Sequence, residues 1–198
     1  MATPGDVATN VSAMPANATI YLIRHAEKPD SGPGLSPAGQ ARATAYAQYL
    51  QEQTDPAGKS ISWNYLFASQ DSDNSDRPEL TITPLAQELQ LAINCTYKDK
   101  DYQELADHIQ KHAKDRYASS NILICWHHGE ILELAQAMGA APAALAATSD
   151  WPAHWPDTVF GWLLKIYYKQ DGTLHHGETQ AINERLMPDD TAAPVYNQ

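Results

Sequence analysis

The sequence predicts an α/β fold, a three-layer α/β/α sandwich around a mainly parallel sheet. Two observations carry this. Short apolar runs of strand length alternate with longer stretches of helical period, and polar segments rich in Pro, Gly and Ser separate them. At 198 residues the chain suits one domain with a sizeable core, since two domains would each be thin. The expected layout is a disordered lead-in over 1–17, small and polar without sustained period. A single domain follows over 18–185, then an exposed tail over 186–198.

The first element is "ATIYLI", an apolar run suited to a strand covered on both faces. "PDSGPG" breaks the chain, and a helix follows with Ser36 as N-cap, Pro37 at its first position, and Ala41, Ala45 and Tyr49 along one face. "WNYLFAS" reads as the second strand, and "RPELTITPLAQELQL" as a helix interrupted, or started late, at Pro84. Tyr102, Leu105, Ala106, Ile109 and Ala113 lie on one stripe of a helix expected over 101–116. "NILICW" is the next buried strand, and "GEILELAQAMG" a helix stopping at Gly139. In "TVFGWLLKIYYKQDGTLHH" a strand, an Asp171-Gly172 turn and a returning strand are expected.

Composition narrows the function classes. Lys and Arg number 13 against 24 Asp and Glu, a formal charge of −11 that repels nucleic acid and anionic membrane surfaces. No basic patch offsets this, because Lys98, Lys100, Lys111 and Lys114 are interleaved with acids. An anionic substrate would therefore need a small, focused cationic pocket. Two cysteines, Cys95 and Cys125, imply no disulfide framework. Without a basic and apolar leader or a span-length apolar run, the expectation is a soluble, cytoplasmic protein, open to secretion if a leader has been removed. The oligomeric state is left open. The doublets His127-His128 and His175-His176 suggest a metal at first sight. Adjacent strand residues point to opposite faces, so each doublet offers one ligand at best, and no metal is expected.

In an open parallel sheet, ligands sit beyond the carboxyl ends of the strands. The first strand ends in Arg24-His25, the second leads to a loop closing at Arg77, and "NILICW" ends in His127-His128-Gly129. This set suits phosphoryl transfer. A neutral imidazole can attack phosphorus, arginine forks stabilise the phosphoryl oxygens, and a second histidine adds a donor. An acid to protonate the leaving oxygen is also required.

"LIRHAEKP", "RPELTITPLAQELQL" with Thr81 four residues after Arg77, "NILICWHHGEI" and "GLSPAGQARA" together resemble the histidine phosphatase superfamily, the phosphoglycerate mutase-like proteins, in a compact phosphatase branch. The resemblance runs from about Thr19 to Gly139, with three motifs in order. It implies a phosphoglycerate mutase-like fold and a metal-independent phosphatase without cofactor. Such an enzyme cleaves a small phosphomonoester, phosphoramidate or phosphoanhydride through a phosphohistidine. By the same resemblance His25 is the nucleophile, Arg24 and Arg77 are the phosphate clamps, and His128 is the second histidine. Gly129 stands where the acid phosphatases of the family carry Asp, and the mutases' substrate loop with its glutamate is missing. The proton donor is then one of Asp99, Asp101, Glu104 and Glu130, with Asp101 taken as the candidate. Glu27, His127 and Trp155 are candidate substrate-binding residues, Glu27 through a salt bridge to an arginine and Trp155 as part of a specificity lid in "DWPAHWPDT". The alternatives are a non-catalytic phosphate-binding protein of the same fold, a mutase, and a biosynthetic enzyme reusing the pocket.

Overall fold

The computed structural model describes residues 13–55, 58–145 and 150–194. Six strands form one sheet in the order β3-β2-β4-β1-β5-β6. They are β1 (Thr19–Arg24), β2 (Trp63–Ala68), β3 (Ile93–Asn94), β4 (Asn121–Trp126), β5 (Trp162–Tyr167) and β6 (Gln180–Asn183). The first four are parallel, while β5 and β6 run antiparallel at one edge. The helices are α1 (Pro37–Gln51), α2 (Arg77–Leu89), α3 (Tyr102–Lys111), α4 (Ile131–Ala137) and the short α5 (Pro142–Leu145).

Strand alternation divides the core into the two halves of the expected sandwich. Tyr21, Ile23, Leu66, Leu123 and Cys125 pack with Tyr46, Leu50, Ile82 and Leu85 of α1 and α2. Ile20, Leu22, Phe67, Ile122, Ile124 and Trp126 pack on the other face with Leu105, Ile109, Ile131 and Leu134 of α3 and α4. None of the helices among the described residues is long and apolar enough to cross a membrane.

Local chemistry accounts for the helix starts. Ser36 Oγ accepts the Gly39 N–H at 3.0 Å and Pro37 opens α1, a cap worth about 1 kcal/mol. The buried face of α1 carries Gly39, Arg42, Ala43, Tyr46, Ala47 and Leu50, one position on from the expected Ala41, Ala45 and Tyr49. Alanines recur on every side of this helix, so the stripe is set by what the sheet accepts, and that includes an arginine. α2 runs unbroken from Arg77 through Pro84. The backbone group deprived of a partner is the Leu80 carbonyl, on a residue 37% exposed, where solvent can satisfy it.

Three further expectations are corrected. After the Asp171-Gly172 turn only the bridge Tyr168↔Leu174 forms, and the returning strand is β6, from Gln180. Residues 13–17 pack against the domain: Met14 is buried, Asn17 N–H donates to the Lys169 carbonyl, and the Ala16 carbonyl accepts from Ser119. Gly172, at φ +75°, lies so close to Met14 that a Cβ there would stand 2.2 Å from the Met14 carbonyl oxygen. The rest of the expected lead-in, 1–12, lies outside the described residues. Beyond β6 the chain folds back over the domain. Trp162 Nε1 donates to the Ala192 carbonyl at 2.7 Å, and the Asp190 side chain, 4% exposed, meets Arg42. Residues 195–198 of the expected tail are outside the described part.

Candidate active site

The ends of β2, β4 and β1 lie side by side, and one hydrogen bond past each ladder sets the site. His25 N–H donates to the Trp126 carbonyl at 3.0 Å, and Ser69 N–H to the Cys125 carbonyl at 3.2 Å. Arg24, His25, His127 and Ser69 therefore gather at the carboxyl edge.

Arg24 is 4% exposed. Its Nη1 donates to the carbonyls of Pro156, Asp157 and Val159 at 3.3, 2.8 and 2.7 Å. Its guanidinium carbon lies 3.9 Å from the centre of the Phe160 ring, a cation–π contact. Nε is buried with no hydrogen-bond partner. Burial pushes the pKa down to about 10, so the group stays charged at neutral pH.

His25 is also 4% exposed, with Nδ1 2.7 Å from the Ala26 carbonyl oxygen. A carbonyl only accepts, so the proton resides on Nδ1 and Nε2 carries the lone pair. Burial, aided by His127, Arg24 and Arg77 and opposed by the Ala26 carbonyl, pushes the pKa down to about 2. Burial thus favours the neutral imidazole.

A threonine bridge places the second arginine. Thr81 Oγ1 accepts the Ala26 N–H at 2.8 Å and donates to the Arg77 carbonyl at 2.7 Å, tying the turn after β1 to the first turn of α2. Arg77 Nη1 donates to the carbonyls of Pro33 and Asn74, and Nε is buried without a partner. The Ser69 hydroxyl is likewise buried and unpartnered. Sequence reasoning passed over Ser69, although its place as the last residue of "WNYLFAS" was the available signal.

The two histidines after β4 separate. The His127 ring meets His25 edge-on, centroids 4.9 Å apart. His128 turns toward another cavity, of about 290 Å³, which it shares with Leu132, Pro142, His154 and Trp155. Burial lowers both pKa values; Asp99 opposes the shift at His127, and Arg24 adds to it at His128. The sequence named His128 as the second histidine; the ring in contact with His25 is that of His127, while His128, its Nδ1 buried and unpartnered, lies close enough to Arg24 to feel its charge.

Glu27 forms the expected salt bridge to an arginine, its carboxylate accepting from the buried Arg42 Nε and Nη2 at 2.8 and 2.7 Å. Trp155, 1% exposed, is a fixed wall that donates to the Val159 carbonyl and packs on Trp162. With Trp151 also buried, two tryptophans anchor this stretch to the core while Ala153, His154, Asp157 and Thr158 are exposed; its backbone carbonyls hold Arg24. Asp101 accepts the Lys98 N–H at the start of α3. It is Asp99 that lines a cavity with Arg77 and His127. Glu130 is paired with Lys100. Among the described residues there is no group of three or more His, Cys, Asp or Glu placed to hold a metal ion.

No protein-family model matches the chain. No curated protein matches it either. Solved structures do. A protein assigned as the phosphohistidine phosphatase SixA from Agrobacterium tumefaciens is 17% identical with a TM-score of 0.53, over 79% of this chain and 94% of that one. Phosphoglycerate mutase from Plasmodium falciparum is 10% identical with a TM-score of 0.52, over 81% and 88%. Phosphoserine phosphatase from Entamoeba histolytica, solved with 3-phosphoglyceric acid, is 12% identical with a TM-score of 0.51, over 84% and 98%. The chain has a phosphoglycerate mutase-like α/β fold.

Proposed function

We propose that this protein is a phosphatase that cleaves a small phosphorylated substrate through a phosphohistidine on His25. The carrying observation is the state of His25: buried, neutral, its Nδ1 proton committed to the Ala26 carbonyl, beside Arg77 and His127. Nε2 attacks phosphorus, the bond to the leaving oxygen breaks, and Asp99 gives that oxygen a proton. The imidazole becomes positive as the P–N bond forms, and its Nδ1–H bond to the carbonyl strengthens. Arg24 and Arg77 stabilise the phosphoryl oxygens through donors left unpaired in the fold. His127 can donate to the same oxygens once the dianion draws a proton onto it. Water then attacks phosphorus, returns a proton to Asp99, and releases inorganic phosphate as the P–N bond breaks. The reading invokes no metal and no cofactor. A structure of SixA, 15% identical with a TM-score of 0.51, holds tungstate, an anion of phosphate's shape.

The test is hydrolysis of p-nitrophenyl phosphate in EDTA, with an acid-labile phosphoenzyme trapped during turnover. His25→Ala is expected to abolish both. Full activity in that variant refutes the reading, as does phosphate or vanadate raising Tm with no ester cleaved.

A further inference from the structure

We infer that the leaving group at this site is a polyhydroxylated alcohol, making the substrate a sugar or polyol monophosphate. The inference rests on the phosphatase reading and gives it a substrate class. It comes from the cavity of about 390 Å³ that has Arg77 and His127 in its wall. Both residues stand beside His25, which itself is not part of the wall. A phosphoryl group held at Arg77 and His127 would project its ester oxygen into this space, away from His25, as in-line displacement requires.

The wall has no apolar residue. The loop after β2 contributes Gln70, Asp71, Ser72, Asn74 and Ser75, and the turn after β3 contributes Lys98 and Asp99. Ligand pockets ordinarily have predominantly apolar linings with a few polar groups. An aromatic or aliphatic leaving group would strip water from these side chains and return no hydrogen bonds, the condition under which a site rejects an analogue most strongly. The Ser75 hydroxyl is already buried without a partner. Charge narrows the class further. With Arg77 committed to the phosphoryl group, one cation, Lys98, faces two carboxylates, Asp71 and Asp99. A leaving group with its own phosphate is disfavoured and a neutral polyol accepted. The neighbouring cavity, which carries Glu133 and Gln136 as well as Leu132, Pro142 and Trp155, is no more apolar, and it meets His128 and not the His25–His127 pair.

The experiment compares kcat/KM for glucose 6-phosphate, ribose 5-phosphate and glycerol phosphate with p-nitrophenyl phosphate and adenosine 5′-monophosphate. The aryl ester has the better leaving group, so a sugar phosphate at least ten-fold ahead of it is the expected result. Asn74→Ala and Gln70→Ala, altering side chains at the cavity wall, are each expected to lower the sugar-to-aryl ratio of kcat/KM by about five- to ten-fold. If the aryl ester or the nucleotide is preferred, or the ratio is unchanged in both variants, the inference is overturned while trapped phosphohistidine keeps the phosphatase reading. If no ester turns over and no phosphoenzyme forms, the phosphatase reading itself fails and takes this one with it.

Discussion

Arg24 and Arg42 both approach the Phe160 ring, with guanidinium carbons 3.9 and 5.8 Å from its centre, and both are almost fully buried. Their partners differ. Arg42 spends Nε, Nη1 and Nη2 on the carboxylates of Glu27 and Asp190, four hydrogen bonds of 2.7–2.8 Å. Burial alone would lower its pKa, yet these bonds hold it above the ordinary arginine value. Arg24 meets no carboxylate in its hydrogen bonds. Three backbone carbonyls and an aromatic face support it, and Nε is left over. Dipoles and a π face lower the cost of burying a charge without cancelling it. One arginine is a neutralised strut joining α1, the turn after β1 and the C-terminal segment. The other is a buried positive charge with no carboxylate among its hydrogen-bond partners, inside a chain of net charge −11.

Exchanging each for glutamine should separate the two roles. If Arg24 acts on the developing phosphoryl charge as proposed, Arg24→Gln is expected to lower kcat/KM by about 10²–10³, with a loss of stability smaller than that of Arg42→Gln because no carboxylate is left without its counter-ion. Arg42→Gln leaves Glu27 and Asp190 buried without their counter-ion, and stability is expected to fall by about 3–5 kcal/mol. Equal destabilisation in the two variants, measured by urea unfolding, would erase the distinction. The histidine doublet gives the next largest contrast. His127→Asn is expected to cost about 100-fold in kcat, and His128→Asn under ten-fold; the reverse order would return the partner role to His128.

Strands and capped helices were legible because each rests on local chemistry: an apolar run, Ser36 before Pro37, Gly139 at the end of α4. Arg24, His25 and Arg77 were legible as residues just past strand or loop ends. Choosing between His127 and His128 needs the register of β4 on β1. Arg24 pairs with Trp126, so the next position on each strand brings His25 and His127 together. A clue to it was present in the helix that follows, since Ile131, Leu134 and Ala135, at four, seven and eight positions after His127, are the buried residues of α4. The Arg42–Asp190 pair, 148 positions apart, left no local trace. A charged residue within an alanine-rich helix reads as its solvent side, and only the partner's arrival from the C-terminal segment makes it interior. Asp99 and Asp101 share one short turn, and only the fold decides which of them lines the cavity with Arg77.

The smallest expected effect tests how completely Arg42 is occupied. Glu184 follows β6, is buried, and has no cation bonded to its carboxyl; its close polar neighbour is the Tyr46 hydroxyl, which also donates to the Phe160 carbonyl. It lies near Arg42, but Glu27 and Asp190 already fill that fork. Burial pushes its pKa well above 4.5, while Asp190, drawn the other way by Arg42 against its own burial, is held below the ordinary value. The two slopes oppose each other. Below pH 4.5 Glu184 is protonated whether the chain is folded or not, and costs nothing. As pH rises from 4.5 toward its folded pKa, the unfolded chain ionises first and stability is lost. Asp190 contributes fully above its unfolded value of 3.8, and that contribution disappears as pH falls through its lower folded pKa. Glu184→Gln should therefore match the parent near pH 4 and exceed it at pH 7, the gap widening by at most about 1.4 kcal/mol per pH unit. Urea unfolding at pH 4, 5.5 and 7 measures it. A gap independent of pH would mean that Glu184 is ionised in the folded protein, with Arg42 able to hold a third carboxylate and so less saturated than its hydrogen bonds indicate.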